Sequence, residues 1–198
     1  MQRFVVLLGA LFFLAIGAAA QGPAGVGASG RYGSAPSGDF GPTRWQVAIG
    51  YQYNRINLTG SPFNTNGLNA SVARYFGNWF GLEAQVGAGF GNTGSATLPP
   101  SLTMKSVFAG GGPRLAYRGH GRLEPWIHGA VGVEYFRFSQ TAGIFGSNTA
   151  LAWSGGGGVD FHLNPHTAVR AEADEVWTRF FGGDQRNFQA VGGLVFNF

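Results

Sequence analysis

The feature that most limits what this chain can become is a two-residue rhythm that begins at Trp45. In WQVAIGYQYN, Trp45, Val47, Ile49, Tyr51 and Tyr53 fall on one side, and Gln46, Ala48, Gly50, Gln52 and Asn54 on the other. A β-strand sends successive side chains to opposite faces, so this period belongs to a strand. FGLEAQVGAGF repeats it, with Phe80, Leu82, Ala84, Val86, Ala88 and Phe90 alternating with Gly81, Glu83, Gln85, Gly87 and Gly89. The rhythm predicts eight strands, near 45–56, 67–76, 80–91, 104–117, 124–137, 149–163, 167–178 and 188–198. No segment carries a comparable helical period.

The gaps between strands alternate in length. Short turns (GNW, RGHGRL, NPH) follow the second, fourth and sixth strands, while 57–66, 92–103, 138–148 and 179–187 read as longer polar loops. Strands of about ten residues joined this way have the plan of an antiparallel, up-and-down transmembrane β-barrel. The predicted fold class is therefore all-β.

A soluble barrel would also alternate, so the chemistry of the two faces must decide. Glu83, Arg114, Glu134, Asp160, Arg170, Glu172 and Asp174 share a face with glycine, alanine and glutamine, and the opposite face is almost wholly apolar. In a soluble barrel the charges would point out into water. Here they point to the lumen, and the apolar face suits hydrocarbon, which satisfies no polar group. Trp45, Tyr51, Tyr53, Phe76, Tyr117, Tyr135 and Trp177 fall near strand ends on the apolar face, where an aromatic girdle lies at the membrane interface. Arg74 and Glu175 point outward and are placed near an interface, where long side chains snorkel.

Composition fits the same picture. Only 11% of residues are charged, well below the roughly 25% of an ordinary soluble domain, and there are 35 glycines. Gly87, Gly89, Gly110, Gly112, Gly132, Gly156, Gly158 and Gly193 are expected to face a lumen narrow enough for side chains to fill. Pro113 removes one ladder donor and suggests a bulge or kink in the fourth strand. There is no cysteine for disulfides or thiolate chemistry. The net charge of +4 comes from scattered Lys and Arg residues with no basic run, so no nucleic-acid partner is expected.

Export is written at the start. Met1-Gln2-Arg3, an apolar run from Phe4 to Ile16 and small residues at Ala18 and Ala20 make a secretory leader, cleaved before Gln21. Residues 21–43 are rich in Gly, Ala, Ser and Pro without hydrophobic period and read as a flexible segment, leaving 44–198 as the barrel domain.

The candidate site is a charged cluster inside the barrel: Glu83, Arg114, His128, Asp160, His162, Arg170 and Glu172. Two arginines among several carboxylates predict an ion network that plugs the lumen, since each planar guanidinium can satisfy two carboxylates. The functional alternative is a gate or catalytic site. His162 and His166 are separated by Asn164-Pro165, which forbids the helix that would present both to a metal. No histidine is followed two residues later by serine, so the H-x-S pair of small barrel lipid A deacylases is missing. Gly89 to Gly94 matches G-x-G-x-x-G, but no βαβ unit surrounds it. No catalytic residue, metal or cofactor is predicted.

The strand–turn–strand blocks GGGPRLAYR (Gly110 to Arg118) into EPWIHGAVGVEY (Glu124 to Tyr135), GGGGVDFHLNP into TAVRAEAD (Gly155 to Asp174), and the terminal GGLVFNF resemble the small OmpA-like and OmpX-like eight-stranded outer-membrane barrels of Gram-negative bacteria. The resemblance covers roughly 44–198. It implies the outer membrane as location, surrounding lipid and lipopolysaccharide, insertion by the outer-membrane assembly machinery, a monomer, and a closed or narrow lumen. It also implies that Gly193, Phe196 and Phe198 form the C-terminal signal read by that machinery. The periplasmic peptidoglycan-binding domain of full-length OmpA-type proteins is not expected, so neither is a cell-wall anchor. The function expected is a non-enzymatic barrel that supports the envelope and carries surface loops, with a narrow solute pore and a lipid A-modifying enzyme as alternatives.

Overall fold

The computed structural model describes residues 43–58, 61–92, 103–119, 121–140, 143–180 and 183–198. The leader with Ala18 and Ala20, and almost all of the 21–43 segment, lie outside them. Eight strands follow one another around a closed barrel: β1 (Trp45–Leu58), β2 (Ser61–Tyr75), β3 (Phe80–Asn92), β4 (Thr103–Ala116), β5 (Leu123–Gln140), β6 (Gly143–Asn164), β7 (Thr167–Phe180) and β8 (Gly183–Asn197). Every neighbouring pair is antiparallel, and β8 returns to β1 with Gly50 opposite Gly193 and Val47 opposite Phe196. The last residue completes the seam. The Phe198 amide donates to Trp45 O (2.9 Å), and the Phe198 carbonyl accepts from the amides of Arg44 (3.0 Å) and Trp45 (3.2 Å). Closure leaves no unpaired edge, which is what allows a sheet to stand in lipid.

The two faces are the reverse of a soluble protein's. Inward positions carry buried Gln46, Gln52, Asn69, Gln85, Asp160 and Arg170, while Leu68, Ile127, Val131, Leu151 and Leu194 stand exposed on the outside. Arg74 faces outward and spreads over the rings of Trp45 and Phe76 at 5.3 and 5.2 Å, and Glu175 faces outward opposite Arg186 (3.8 Å). Trp79, Tyr117 and Phe76 are exposed around the short-turn rim.

Two expectations need correction. Most of 57–66, 138–148 and 179–187 is strand: Leu58 pairs with Ser61, Gln140 with Gly143 and Phe180 with Gly183. These stretches lack an apolar outward face and so resemble loops. Ladder hydrogen bonds need no such face, and a hairpin can run on into water. The 22 residues of β6, at about 3.3 Å each and a tilt of about 35–45°, rise roughly 50–60 Å against an apolar band of about 25 Å. The β5–β6 hairpin therefore extends well beyond the membrane. The second correction concerns Pro113. Pairing of β4 with β5 lapses at Gly112 and Pro113 but resumes at Arg114 and His128 in the same register, so no residue is inserted. The register shifts lie elsewhere, at Phe138/Ser139 and His162/Asn164.

Candidate functional site

Period two brings Glu83 on β3, Arg114 on β4, His128 on β5, Asp160 on β6, and Arg170 and Glu172 on β7 into one layer of the lumen. Asp160 is the hub. Arg170 approaches it side-on, Nε and Nη2 each 2.8 Å from a carboxylate oxygen, and Arg114 Nη2 donates to it at 3.2 Å. The Trp126 indole N–H adds a fourth donor at 3.1 Å. Arg114 also donates to Glu83 (3.0 Å), and His128 stands between Glu83 (Nδ1, 2.9 Å) and Asp174 (Nε2, 3.0 Å). Glu172 sits at the edge, 3.8 Å from Arg170.

Trp126 supplies the remaining surface. Its ring lies 3.8 Å from the Arg114 guanidinium carbon and 4.7 Å from that of Arg170. The two cations thus share an aromatic face as well as a carboxylate, and cation–π attraction grows when both partners are desolvated. Arg114 and Asp160 have no accessible surface at all. Such a layer holds together only because each ion finds complementary groups on several strands.

The strands meet here because their glycines let them. A Cβ on Gly158 would lie 2.7 Å from the Trp126 ring and 2.4 Å from Ala171 O, and one on Gly156 would lie 2.0 Å from Asp174 Oδ1. Beta-carbons at these two sites would take the space the tryptophan and the aspartate occupy.

His162, expected in the same cluster, is buried inside the barrel one pleat nearer the turn than Asp160. It faces Glu124 instead (3.3 Å), in a second cluster at the short-turn mouth of the barrel. Glu124 also accepts from Gln46 (2.9 Å) and from Arg118 (3.2 Å). Arg118 comes from the β4–β5 turn, covers the Tyr75 ring at 4.1 Å and donates to Thr43 O at 2.6 Å. Sequence reasoning left out Glu124, Arg118, Trp126 and Asp174 as members. Period two places Glu124 and Trp126 on the same face as His128, so that signal was present; Arg118 lies in a turn, where period carries no information.

Beyond the ionic layer the lumen is filled by amides and hydroxyls, with Asn69 donating to Gln52 (3.2 Å) and Gln85 to Ser154 (3.3 Å). A small cavity above them is lined by Asn54, Ser106, Glu134 and Asn187. Glu134 Oε2, Asn54 Oδ1 and Asn187 Nδ2 there have no hydrogen-bond partner among the described residues. Ile56, Met104 and Phe136 form a buried apolar cluster toward the hairpin end of the barrel. His128, Glu172 and Asp174 bring one possible metal-ligand atom each within 4.8 Å of one another, yet both nitrogens of His128 already face carboxylates.

The terminal residues divide by role. Phe196 and Phe198 face outward and are exposed, whereas a Cβ on Gly193 would lie 2.3 Å from Ile49 O. Gly193 is thus required by the approach of β8 to β1.

A closed, eight-stranded antiparallel barrel with an apolar exterior and a charged, filled interior defines a small outer-membrane barrel of a Gram-negative bacterium. The chain belongs to the outer membrane protein beta-barrel domain family, whose pattern matches residues 6–198. Comparison with curated proteins finds no match. Among solved structures the chain is similar to Ail, the attachment invasion locus protein of Yersinia pestis in complex with the heparin analogue sucrose octasulfate. The identity is 18% over 79% of this chain and 99% of that one, with a TM-score of 0.57. Neisserial surface protein A is similar at 10% identity, covering 78% of this chain and 97% of its own, with a TM-score of 0.66. OprG from Pseudomonas aeruginosa shares 12% identity over 79% and 96% of the two chains, with a TM-score of 0.50. At these identities the likeness is one of fold.

Proposed function

We propose that this outer-membrane barrel is a closed, non-enzymatic envelope protein. Its lumen is sealed by the Asp160-centred ion layer, its short turns lie in the periplasm, and its long hairpins stand at the cell surface. The observation that carries this reading is the complete burial of Arg114 and Asp160 between β3, β4, β6 and β7, with Trp126 packed against both arginines. A solute pore needs a continuous polar path, and here charge is consumed pairwise across the lumen. The histidine of the ion layer is not free to take a hydroxyl proton as a hydrolase requires, because both nitrogens of His128 are committed to Glu83 and Asp174. Insertion would be directed by Phe196 and Phe198, whose rings are outward and available to the assembly machinery.

Single-channel recording of the purified barrel in planar bilayers tests the proposal. The protein is expected to be silent, and Arg114→Ala or Arg170→Ala to introduce conductance. Stable openings of the unaltered chain would favour the pore. Mass spectrometry of lipid A with and without the protein provides the separate test for an enzyme, and a modified lipid species would refute the non-enzymatic reading.

A further inference from the structure

On the outer surface of β4 and β5, Lys105 and Arg137 stand directly opposite one another in the ladder. Like charges facing each other across a sheet destabilise the pair of strands, and no described residue relieves the arrangement. The ion pairs formed by the described residues include neither side chain. Lys105 is instead held 5.8 Å from the Phe90 ring, a contact that leaves its ammonium group available to an anion.

The surroundings add neutral donors. One step further along the ladder Thr103 faces Ser139, and on β6 Ser147 faces Arg137. The register shift at Phe138/Ser139 falls in the middle of this group, where a bulge re-aims side chains. One step toward the membrane centre the outward pairs become Val107 with Tyr135 and then Ala109 with Val133. The two cations therefore sit immediately above an interfacial tyrosine, at the level of lipid headgroups.

We propose that Lys105 and Arg137, with the hydroxyls of Thr103, Ser139 and Ser147 around them, bind the phosphate of an anionic lipid headgroup in the outer leaflet. The proposal rests on the orientation given above, with the hairpin end at the cell surface. A phosphate placed between the two cations converts their mutual repulsion into a shared attraction, and hydroxyl groups supply hydrogen bonds to its remaining oxygens.

The full barrel, refolded into phosphatidylcholine vesicles with or without diphosphoryl lipid A, provides the test. The readout is the temperature at which the compact band on a gel gives way to the unfolded one. Lipid A is expected to raise that temperature for the unaltered protein, and the K105Q/R137Q variant to lose most of the gain. In phosphatidylcholine alone the same variant is expected to be as stable as the unaltered chain or more so, because the repulsion is gone. R55Q/R186Q removes two outward cations elsewhere and is expected to keep most of the lipid A effect. The proposal is overturned if K105Q/R137Q keeps the full gain, or if R55Q/R186Q loses as much. It is equally overturned if inorganic phosphate in phosphatidylcholine vesicles matches lipid A. Channel recordings play no part here, so failure would leave the closed-lumen reading standing.

Discussion

Replacing Arg114 by alanine tests the ion layer most directly, because every group it touches is buried. The guanidinium donates to Glu83 at 3.0 Å and Asp160 at 3.2 Å, and it lies 3.8 Å from the Trp126 ring. Removing one partner from a buried ion pair costs about 3–5 kcal/mol, because the other charge is left without compensation. Loss of a desolvated cation–π contact adds about 1–2 kcal/mol. Asp160 is partly protected, since it keeps both bonds to Arg170 at 2.8 Å. Glu83 retains His128 at 2.9 Å and the more distant Arg170 at 3.6 Å. These remaining partners offset part of the loss, so the net expectation is about 3–5 kcal/mol, a large share of a stability of about 5–15 kcal/mol.

Urea unfolding in lipid vesicles, followed by tryptophan fluorescence, measures it. The discriminating variant is Arg114→Ala combined with Glu83→Gln, which removes the charge that the first substitution strands. The pair should recover about 1–3 kcal/mol relative to additivity. Arg114→Lys keeps the charge but loses the fork, and should fall between the two. A loss below about 1 kcal/mol for Arg114→Ala, within the range of an exposed pair, together with no recovery in the double variant, would show that the layer is not an energetically coupled unit.

Three other outcomes follow from neighbouring features. Gly158→Val would drive a side chain toward the Trp126 ring, 2.7 Å from the first added carbon; it is expected to destabilise by about 1–3 kcal/mol and to shift the tryptophan emission maximum. Glu134→Gln replaces a buried carboxyl whose Oε2 has no hydrogen-bond partner among the described residues, and should leave the unfolding free energy unchanged or raise it by about 1–3 kcal/mol. Phe198→Ala deletes an exposed ring but keeps the backbone bonds to Arg44 and Trp45; outer-membrane yield should fall while the finished barrel unfolds within about 1 kcal/mol of the unaltered one.

The fold was legible in the sequence because one variable governs both environments of a barrel. Each strand separates lipid from lumen, so polarity alternates with the geometry, and the parity of Glu83, Arg114, Asp160 and Arg170 alone places all four inside. Strand ends were less legible for the same reason. Beyond the membrane the outer face meets water, and the alternation fades from GSNTA although the ladder continues to Gln140 and Gly143. Height within the lumen is another quantity that parity does not carry. His162 shares its face with Asp160, yet one pleat toward the turn is enough to hand it to Glu124 and Arg118.

That difference of one pleat explains why the lumen is built as two clusters. Asp160 already accepts from both arginines and the indole, so a histidine at its level would add a donor where no acceptor is left. At the mouth, His162 meets Glu124, which also accepts from one cation, Arg118, from the Gln46 amide and from the Tyr75 hydroxyl (3.5 Å). The register shift at His162/Asn164 lies immediately beside this contact. The shift begins only past His162, which keeps the same register with β7 as Asp160; the two-residue period alone gives Asp160 to the ion layer and His162 to the mouth, with Gly156 and Gly158 making room for Asp174 and Trp126. One 22-residue strand thereby supplies the hub of the ion layer, part of the cluster at the turn end and one side of the hairpin that stands beyond the membrane.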